Sequence, residues 1–341
     1  MLKSRRFWIG IGLAALFLYL FIRGTDFSEM RDALAEANYI FIIPAIAVYF
    51  VGVYFRSVRW QYLLKSIGAF SAIRLFPLIV IGFLVNNVLP ARLGIVARAY
   101  ILGEKEGVSK METGGTLVVE QVFDGLTLLL FAAVISLFVS LEGDLQRAVN
   151  VAAGVFIAAL VICFVLASSE RLAQKAIAIL LRILPYRFRG RAETWFTLLI
   201  DGLAIMRSPR KLFILLIISI LVWTCEAATF YVMSFSFDLE QPFHVFLLAA
   251  ALANLAWAIL MTPGGLGPFD WACKETVMLF GVGEAVATSY AIAVHAVVLL
   301  PMIALGFVFL WMENLSLARI VPEGERLSQD NEPPQEKGGE A

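Results

Sequence analysis

The chain has 341 residues, of which 60% are hydrophobic and only 16% charged, and its mean hydropathy is +0.84. This composition excludes an ordinary soluble domain and indicates an integral membrane protein. The 27 basic and 27 acidic side chains cancel, so no net field gathers nucleic acid, and we do not expect it as a partner.

Eight apolar stretches approach the length of about 20 residues that crosses a bilayer core. They run over 7–22, 39–55, 73–89, 116–141, 148–167, 212–237, 243–262 and 285–311. The first follows three basic residues but precedes no small-residue cleavage site, so we interpret it as a retained anchor. The sequence therefore predicts one all-α transmembrane domain over 1–316.

Two further segments are polar. The stretch 168–211 is basic and carries apolar residues at helical spacing, which predicts a cytoplasmic amphipathic segment on an anionic membrane surface. The tail at 317–341 is rich in Pro, Glu and Gly, and we expect it to be disordered.

The distribution of Lys and Arg predicts the topology, because these residues concentrate in cytoplasmic loops. Eight full crossings would place 11 basic residues inside and 16 outside. If the third and seventh segments are instead re-entrant, 23 lie inside and 4 outside. We therefore expect about six crossing helices, two re-entrant broken segments and two cytoplasmic termini, in the cell (inner) membrane.

Both predicted re-entrant segments end in Pro-x-x-Leu-Gly, at 90–94 and at 263–267, which lie 173 residues apart. This spacing indicates an internal repeat, with one copy near 7–141 and the second near 148–311. Three crossings in each half make the copies inverted, which is a transporter architecture. Ordinary kinks or surface turns remain the alternative for either break alone.

Two ionisable residues stand at membrane depth, Glu226 in the sixth segment and His295 in the eighth. Each costs at least about 2.5 kcal/mol in hydrocarbon unless it has a partner or a wet cavity. A hydrogen bond to a neighbouring helix is one interpretation, and a proton or substrate relay is the other.

The first break is surrounded by two amides, two arginines and two acids: Asn86, Asn87, Arg92, Arg98, Glu120 and Asp124. Glu120 and Asp124 are four residues apart and share a helical face. The arginines and acids form a structural ion-pair network, or the arginines hold a phosphate with the amides as neutral donors.

Just beyond the second break, Asp270 and Lys274 are spaced to pair across one helical turn, and we expect this pair to be structural. The backbone amides of Gly264, Gly265 and Gly267 could bind an anion as a nest, although a tight turn needs the same glycines.

Motifs of nucleophilic, nucleotide-binding or zinc catalysis are absent from the sequence. The three cysteines lie in apolar segments, and the chain has only two histidines. We therefore expect no cofactor, no metal and no enzymatic activity.

The chain resembles the flippase-like membrane region of lysylphosphatidylglycerol synthases from about Tyr54 to Trp311. The resemblance rests on Asn87-x-x-Pro90-x-Arg92-x-Gly94-x-x-x-Arg98, Glu120-x-x-x-Asp124 and Pro263-Gly264-Gly265-Leu266-Gly267. It implies lipid translocation, with relatives moving aminoacylated phospholipid and others linked to glycolipid or hopanoid pathways. No aminoacyl-transferase domain follows residue 312, so we do not expect synthesis of the lysyl lipid.

The chain departs from that family at three positions. Ile95 stands where relatives often have Glu, Gln121 where they often have Arg, and His295 near where they tend to have Arg. Loss of both opposite charges at the first two positions removes an ion pair without leaving a charge, so substrate preference is the property in question.

The leading hypothesis is a translocator whose partner is a membrane lipid with a polar or anionic headgroup. Arg92 and Arg98 would receive the headgroup, Asn87, Glu226 and His295 would line its path, and the glycines of the second break would form the outer gate. One rival is a non-transporting accessory subunit of a lipid-modifying or glycosyltransferase enzyme. Another is a membrane enzyme that uses Glu120 and Asp124 as acid and base. Assembly into a homo-oligomer stays open.

Overall fold

A computed structural model of the chain describes residues 5–88, 93–136, 208–260 and 262–315, together with five isolated positions between 154 and 179. The fifth apolar segment, the basic loop and the tail therefore lie wholly or mostly outside the described residues. Arg92 lies outside them as well.

The first two described stretches form six α-helices: α1 (Arg5–Ile22), α2 (Phe27–Glu36), α3 (Ile42–Leu63), α4 (Ala72–Val88), α5 (Gly94–Glu106) and α6 (Lys110–Ser136). Short 3₁₀ turns, Tyr39–Phe41 and Leu64–Ser66, extend α3 at its two ends. The first break separates α4 from α5.

The last two stretches form four α-helices: α7 (Pro209–Ser234), α8 (Phe243–Leu260), α9 (Pro268–Leu279) and α10 (Glu284–Met312). A 3₁₀ turn, Phe235–Phe237, extends α7, and another, Pro263–Gly265, lies between α8 and α9 at the second break.

The helix α2 is short and polar, and its start is fixed by the side chain of Asp26. The carboxylate accepts hydrogen bonds from the backbone N–H groups of Ser28 and Glu29 and from the Ser28 hydroxyl. The side-chain bond from Ser28 and then these backbone bonds lower the pKa of Asp26. α2 packs against α10, where the Ser289 hydroxyl donates to the carbonyl of Met30.

The chain is an all-α multi-pass membrane protein. Within the described residues, five helices are long and apolar enough to cross a membrane: Tyr39–Ser66, Lys110–Ile135, Arg210–Phe237, Phe243–Leu260 and Glu284–Met312. Ala72–Val88 is apolar but shorter. Seven of the eight predicted apolar segments thus coincide with described helices. The helix at 243–260 is itself long enough to cross, so its re-entrant path stays a prediction.

The helices recur in the same order in the two halves, with α3 to α6 followed by α7 to α10. The second of each break-flanking pair begins at Gly94 and at Pro268, 174 residues apart, and α6 and α10 begin at the same separation. The packing recurs too, since α4 packs on α10 while α8 packs on α6, and α3 lies along α7. This exchange of partners between halves agrees with the predicted repeat.

Two apolar clusters form most of the interior. One surrounds Phe230, Phe246 and Tyr290, and the other surrounds Trp60 and Ile79. The charged and amide side chains described next lie between helices of both halves.

Candidate functional site

The first break is held by a close approach between α4 and α5. The backbone N–H of Gly94 donates to Oδ1 of Asn86 over 2.8 Å. A Cβ at Gly94 would lie 2.1 Å from the carbonyl oxygen of Gly82, so only glycine fits at this crossing. Asn86 therefore uses its carbonyl oxygen to fix the turn, in addition to any donor role of its amide.

The second break is a tight glycine turn. Gly264, Gly265 and Gly267 all have positive φ, between 61° and 89°, which favours glycine. The N–H of Gly265 donates to the carbonyl of Thr262, and the N–H of Gly267 donates to Oδ2 of Asp270. The anion nest predicted here is therefore wrong for these two amides, because the turn itself uses them.

Asp270 and His295 form a buried pair behind this turn. Nδ1 of His295 lies 2.6 Å from Oδ1 of Asp270, and Nε2 lies 2.8 Å from the carbonyl oxygen of Gly264. One helix, α10, is thereby tied to both α9 and the second break.

The predicted pairing of Asp270 with Lys274 is wrong. The ammonium of Lys274 binds Glu284 at 2.7 Å and also donates to the carbonyl of Phe21 at 2.9 Å. Lys274 is buried and so fastens the end of α1 to α9, while Asp270 turns to His295.

The two breaks meet. A Cβ on Gly264 would lie only 3.5 Å from the carbonyl oxygen of Asn87, and α4 packs on the 3₁₀ turn of the second break. Both breaks border one cavity of about 280 Å³. Non-helical backbone at membrane depth is tolerated where it lines such a cavity.

Six buried charges form a network beside the first break, three arginines and three acids: Arg56, Arg59, Arg98, Glu120, Asp124 and Glu226. Arg98 binds Glu120 with two hydrogen bonds, of 2.8 and 3.2 Å. Arg59 binds Asp124 at 2.8 Å and lies 3.7 Å from Glu120.

Arg56 joins the remaining acids. Its guanidinium lies 2.9 Å from Glu226 and 3.5 Å from Asp124. Asn254 on α8 donates to the other oxygen of Glu226 at 2.8 Å, and the indole of Trp223 donates to Asp124 at 2.9 Å. The network thus connects five helices, α3, α5, α6, α7 and α8.

The network is electrically balanced, yet its donors are not all used. Nε of Arg98, and Nε and Nη2 of Arg59, are buried without a hydrogen-bond partner among the described residues. Arg98 lines the cavity and stacks 4.2 Å from the ring centroid of Trp60. A buried unpaired donor is costly, so Arg98 has capacity for a further acceptor.

The cavity brings together most of the predicted site residues: Asn86, Asn87, Arg98, Glu120, Asp124, Glu226, Gly264 and His295. Gly265, Gly267 and Asp270 lie behind this surface, at the turn. Ile95 and Gln121, the positions that depart from the related proteins, also line the cavity.

The sequence analysis missed Arg56, Arg59, Trp223 and Asn254. Arg56 and Arg59 were counted among the cytoplasmic loop charges, whereas they lie on the buried face of α3. Their spacing of three residues within an apolar segment was the available signal. Without these two and Arg98, 20 of the inside charges remain against 4 outside, so the predicted orientation does not depend on them.

Comparisons with known proteins agree with this architecture. The family model of the lysylphosphatidylglycerol synthase TM region matches residues 7–306. A UPF0104 membrane protein of Methanothermobacter thermautotrophicus is 24% identical over 82% of this chain and 87% of its own length. Another from Methanocaldococcus jannaschii is 25% identical over 71% of this chain and 99% of its own.

A longer relative is the glycosyltransferase AglD of Haloferax volcanii, which is 25% identical over 92% of this chain. The match spans 55% of AglD, so only part of that protein is similar to this chain. The extent of the family match decides the classification: this chain belongs to the family of the lysylphosphatidylglycerol synthase transmembrane region.

Proposed function

We propose that the protein is a lipid translocator that moves a polar or anionic headgroup through the cavity while the acyl chains stay in the bilayer. The observation that carries this proposal is the meeting of two helix breaks at one cavity lined by five charged network residues. Charges inside apolar helix bundles are costly and mark substrate or ion paths. Family membership supports the same class of function.

Arg98 is the proposed contact for a headgroup phosphate. Its guanidinium geometry suits an oxyanion, its Nε is unpaired, and Glu120 already neutralises its charge. The headgroup therefore need not displace Glu120 to gain one hydrogen bond. The amides of Asn86, Asn87 and Asn254 offer neutral contacts along the same cavity.

The proposed orientation places both termini in the cytoplasm of a cell with this protein in its inner membrane. The pairs α4–α5 and α8–α9 are then re-entrant, and the two halves are inverted. Arg92 would receive the headgroup from the cytoplasmic side, and the glycine turn of the second break would form the outer gate. Inverted repeats that meet at broken helices support this arrangement.

The test compares two substitutions one residue apart on α4. Asn87 lines the cavity, whereas Val88 is 43% exposed at the outside of the same turn. In vesicles with fluorescent phosphatidylglycerol, Asn87→Leu should slow translocation by about tenfold, because one headgroup hydrogen bond is lost. Val88→Leu should translocate like the parent protein.

A second variant addresses the charged contact. Arg98→Met with Glu120→Gln removes a balanced pair, so no charge is left alone in the cavity. We expect a folded protein with little or no translocation. Parental rates in both this variant and Asn87→Leu would refute the cavity as the path.

The alternative of an accessory subunit is favoured by one observation, the similarity to part of a protein named as a glycosyltransferase. In that case the purified protein would not translocate lipid, and it would copurify stoichiometrically with a lipid-modifying or glycosyltransferase enzyme. Translocation by the purified protein alone separates the two functions.

A further inference from the structure

The contacts of His295 define how many protons the second break holds. Both ring nitrogens face oxygen atoms, Nδ1 that of Asp270 and Nε2 the backbone carbonyl of Gly264. His295 is 7% exposed and Asp270 4%. Solvent water therefore does not substitute easily for either contact.

A carbonyl oxygen only accepts, so Nε2 of His295 must carry hydrogen. A second hydrogen must lie between Nδ1 and Oδ1, because two unprotonated atoms would repel at 2.6 Å. The pair is thus either an imidazolium with a carboxylate or a neutral imidazole with a carboxylic acid. Both descriptions contain one proton more than a carboxylate with a neutral imidazole.

Loss of that proton breaks one of the two contacts. A neutral imidazole has a single N–H and cannot donate to both Asp270 and Gly264. The bond to a carboxylate is charge-assisted and stronger than the bond to a neutral carbonyl. The N–H therefore stays with Asp270, and the lone pair on Nε2 repels the carbonyl oxygen of Gly264.

The Gly264 carbonyl is the point at which α10 holds the second break. The same residue lies against the carbonyl of Asn87 in the first break and against Leu299 of α10. Releasing it frees the turn from α10 at the place where the breaks touch. A headgroup passing between the breaks requires them to separate there.

The other charged groups around α10 are mostly neutralised by partners of their own. On α9, Lys274 is bound to Glu284. On α7 and α3, Glu226 and Arg56 line the same cavity as His295 but bind each other. From α4 the cavity receives the amides Asn86 and Asn87, which do not titrate, and the α5 guanidinium of Arg98 is bound to Glu120.

Polar ends of the packed helices complete the surroundings. Glu275 of α9 and Arg74 of α4 lie on elements packed against α10, as do the α2 charges Glu29, Arg31, Asp32 and Glu36. Arg59 of α3 is bound to Asp124. The direct partner of His295 among the titratable groups is Asp270.

We propose that the proton shared by Asp270 and His295 latches the second break, and that its release opens the path between the breaks. This inference rests on the proposed function. Translocation should then rise by about tenfold as the pH rises through the titration of the pair, the effect expected for one lost hydrogen bond.

The two histidines of the chain provide a matched pair of variants. His295→Gln keeps a donor for Gly264 but cannot titrate, whereas His244→Gln removes an exposed imidazole at the start of α8. Vesicle translocation is measured from roughly pH 5 to 8, where histidine charge changes are expected. His295→Gln should be slow and independent of pH, and His244→Gln should follow the parent protein. A pH profile of His295→Gln like that of the parent overturns the latch.

A second readout does not need transport. In the His244→Gln variant, ¹⁵N-labelled histidine reports on His295 alone, and ¹⁵N NMR in lipid bilayers distinguishes the forms of the ring. We expect hydrogen on Nε2 at low pH and its loss from Nε2, with hydrogen on Nδ1, at high pH. An imidazole that keeps one form across this range overturns the proposal. If the titration occurs but vesicles show no lipid movement at any pH, the latch stands and the proposed function fails.

Discussion

Asp124 is the residue whose charge the buried network depends on most. Its carboxylate accepts from Arg59 at 2.8 Å, from the indole of Trp223 at 2.9 Å and from Arg56 at 3.5 Å. Asp124→Asn keeps the shape but removes the negative charge, leaving three arginines against two acids. Arg59, whose side chain is fully buried, then has Glu120 as its nearest acid, at 3.7 Å.

The structure sets the size of the effect. Removing one partner of a buried ion pair costs about 3 to 5 kcal/mol. Arg59 retains a hydrogen bond to Ser219 at 3.0 Å as well as Glu120, so we expect the lower end, about 3 kcal/mol. Adding Arg59→Met to Asp124→Asn restores two arginines against two acids, and the double variant should be more stable than the summed single variants by about 1 to 3 kcal/mol.

The free energy of unfolding is measured by SDS titration in mixed micelles for both single variants and the double variant. Glu104→Gln is the control, because Glu104 is an exposed carboxylate paired with Lys110 at the protein surface. It should change stability by less than about 1 kcal/mol. Additive costs for Asp124→Asn and Arg59→Met, or an Asp124→Asn cost no larger than that of Glu104→Gln, would refute the network.

Two further predictions concern the first break and the topology. Gly94→Ala should destabilise the protein by at least about 1 to 3 kcal/mol, because its Cβ would overlap the Gly82 carbonyl, whereas Gly114→Ala has open space and should unfold like the parent in the same SDS titration. Single cysteines at Glu106 and Glu240, both exposed, should react with membrane-impermeant reagents only from the cytoplasmic and only from the outer side, respectively. Labelling of both from one side contradicts the inverted repeat.

Elements that depend on local hydrophobicity were predictable from the sequence. The predicted third segment ends at residue 89 and α4 ends at Val88, while the seventh ends at 262 and α8 at Leu260. A run of apolar residues and a Pro-Gly break are local properties, and membrane helices satisfy their own backbone groups. The helix α1 and the long helix α10 followed for the same reason.

Partners across the fold were not predictable. Spacing of four residues favoured a pair of Asp270 with Lys274, but Lys274 binds Glu284 beyond the next turn, and Asp270 binds His295. A helical spacing only shows that two side chains can meet, and the tertiary packing decides whether they do. The glycine amides of the second break are a similar case, because their partners Thr262 and Asp270 depend on the folded turn.

Arg56 and Arg59 show the limit of charge counting. The topology argument treats each Lys or Arg near a segment end as a loop charge. These two side chains lie inside α3 and are neutralised by acids that are between 61 and 170 residues away in the sequence. A signal for them exists in hindsight, since their spacing matches one helical face opposite the acids of α6.

The central claim is that the two breaks form a path for a lipid headgroup, and chemical reduction of a fluorescent lipid in vesicles tests it most directly. Purified protein is reconstituted with fluorescent phosphatidylglycerol, and a membrane-impermeant reductant is added outside. The account predicts that nearly all fluorescence is lost, because lipids of the inner leaflet reach the outer one, while Asn87→Leu protects the inner pool for much longer. If folded parent protein leaves the inner pool as protected as in protein-free vesicles, the account is contradicted.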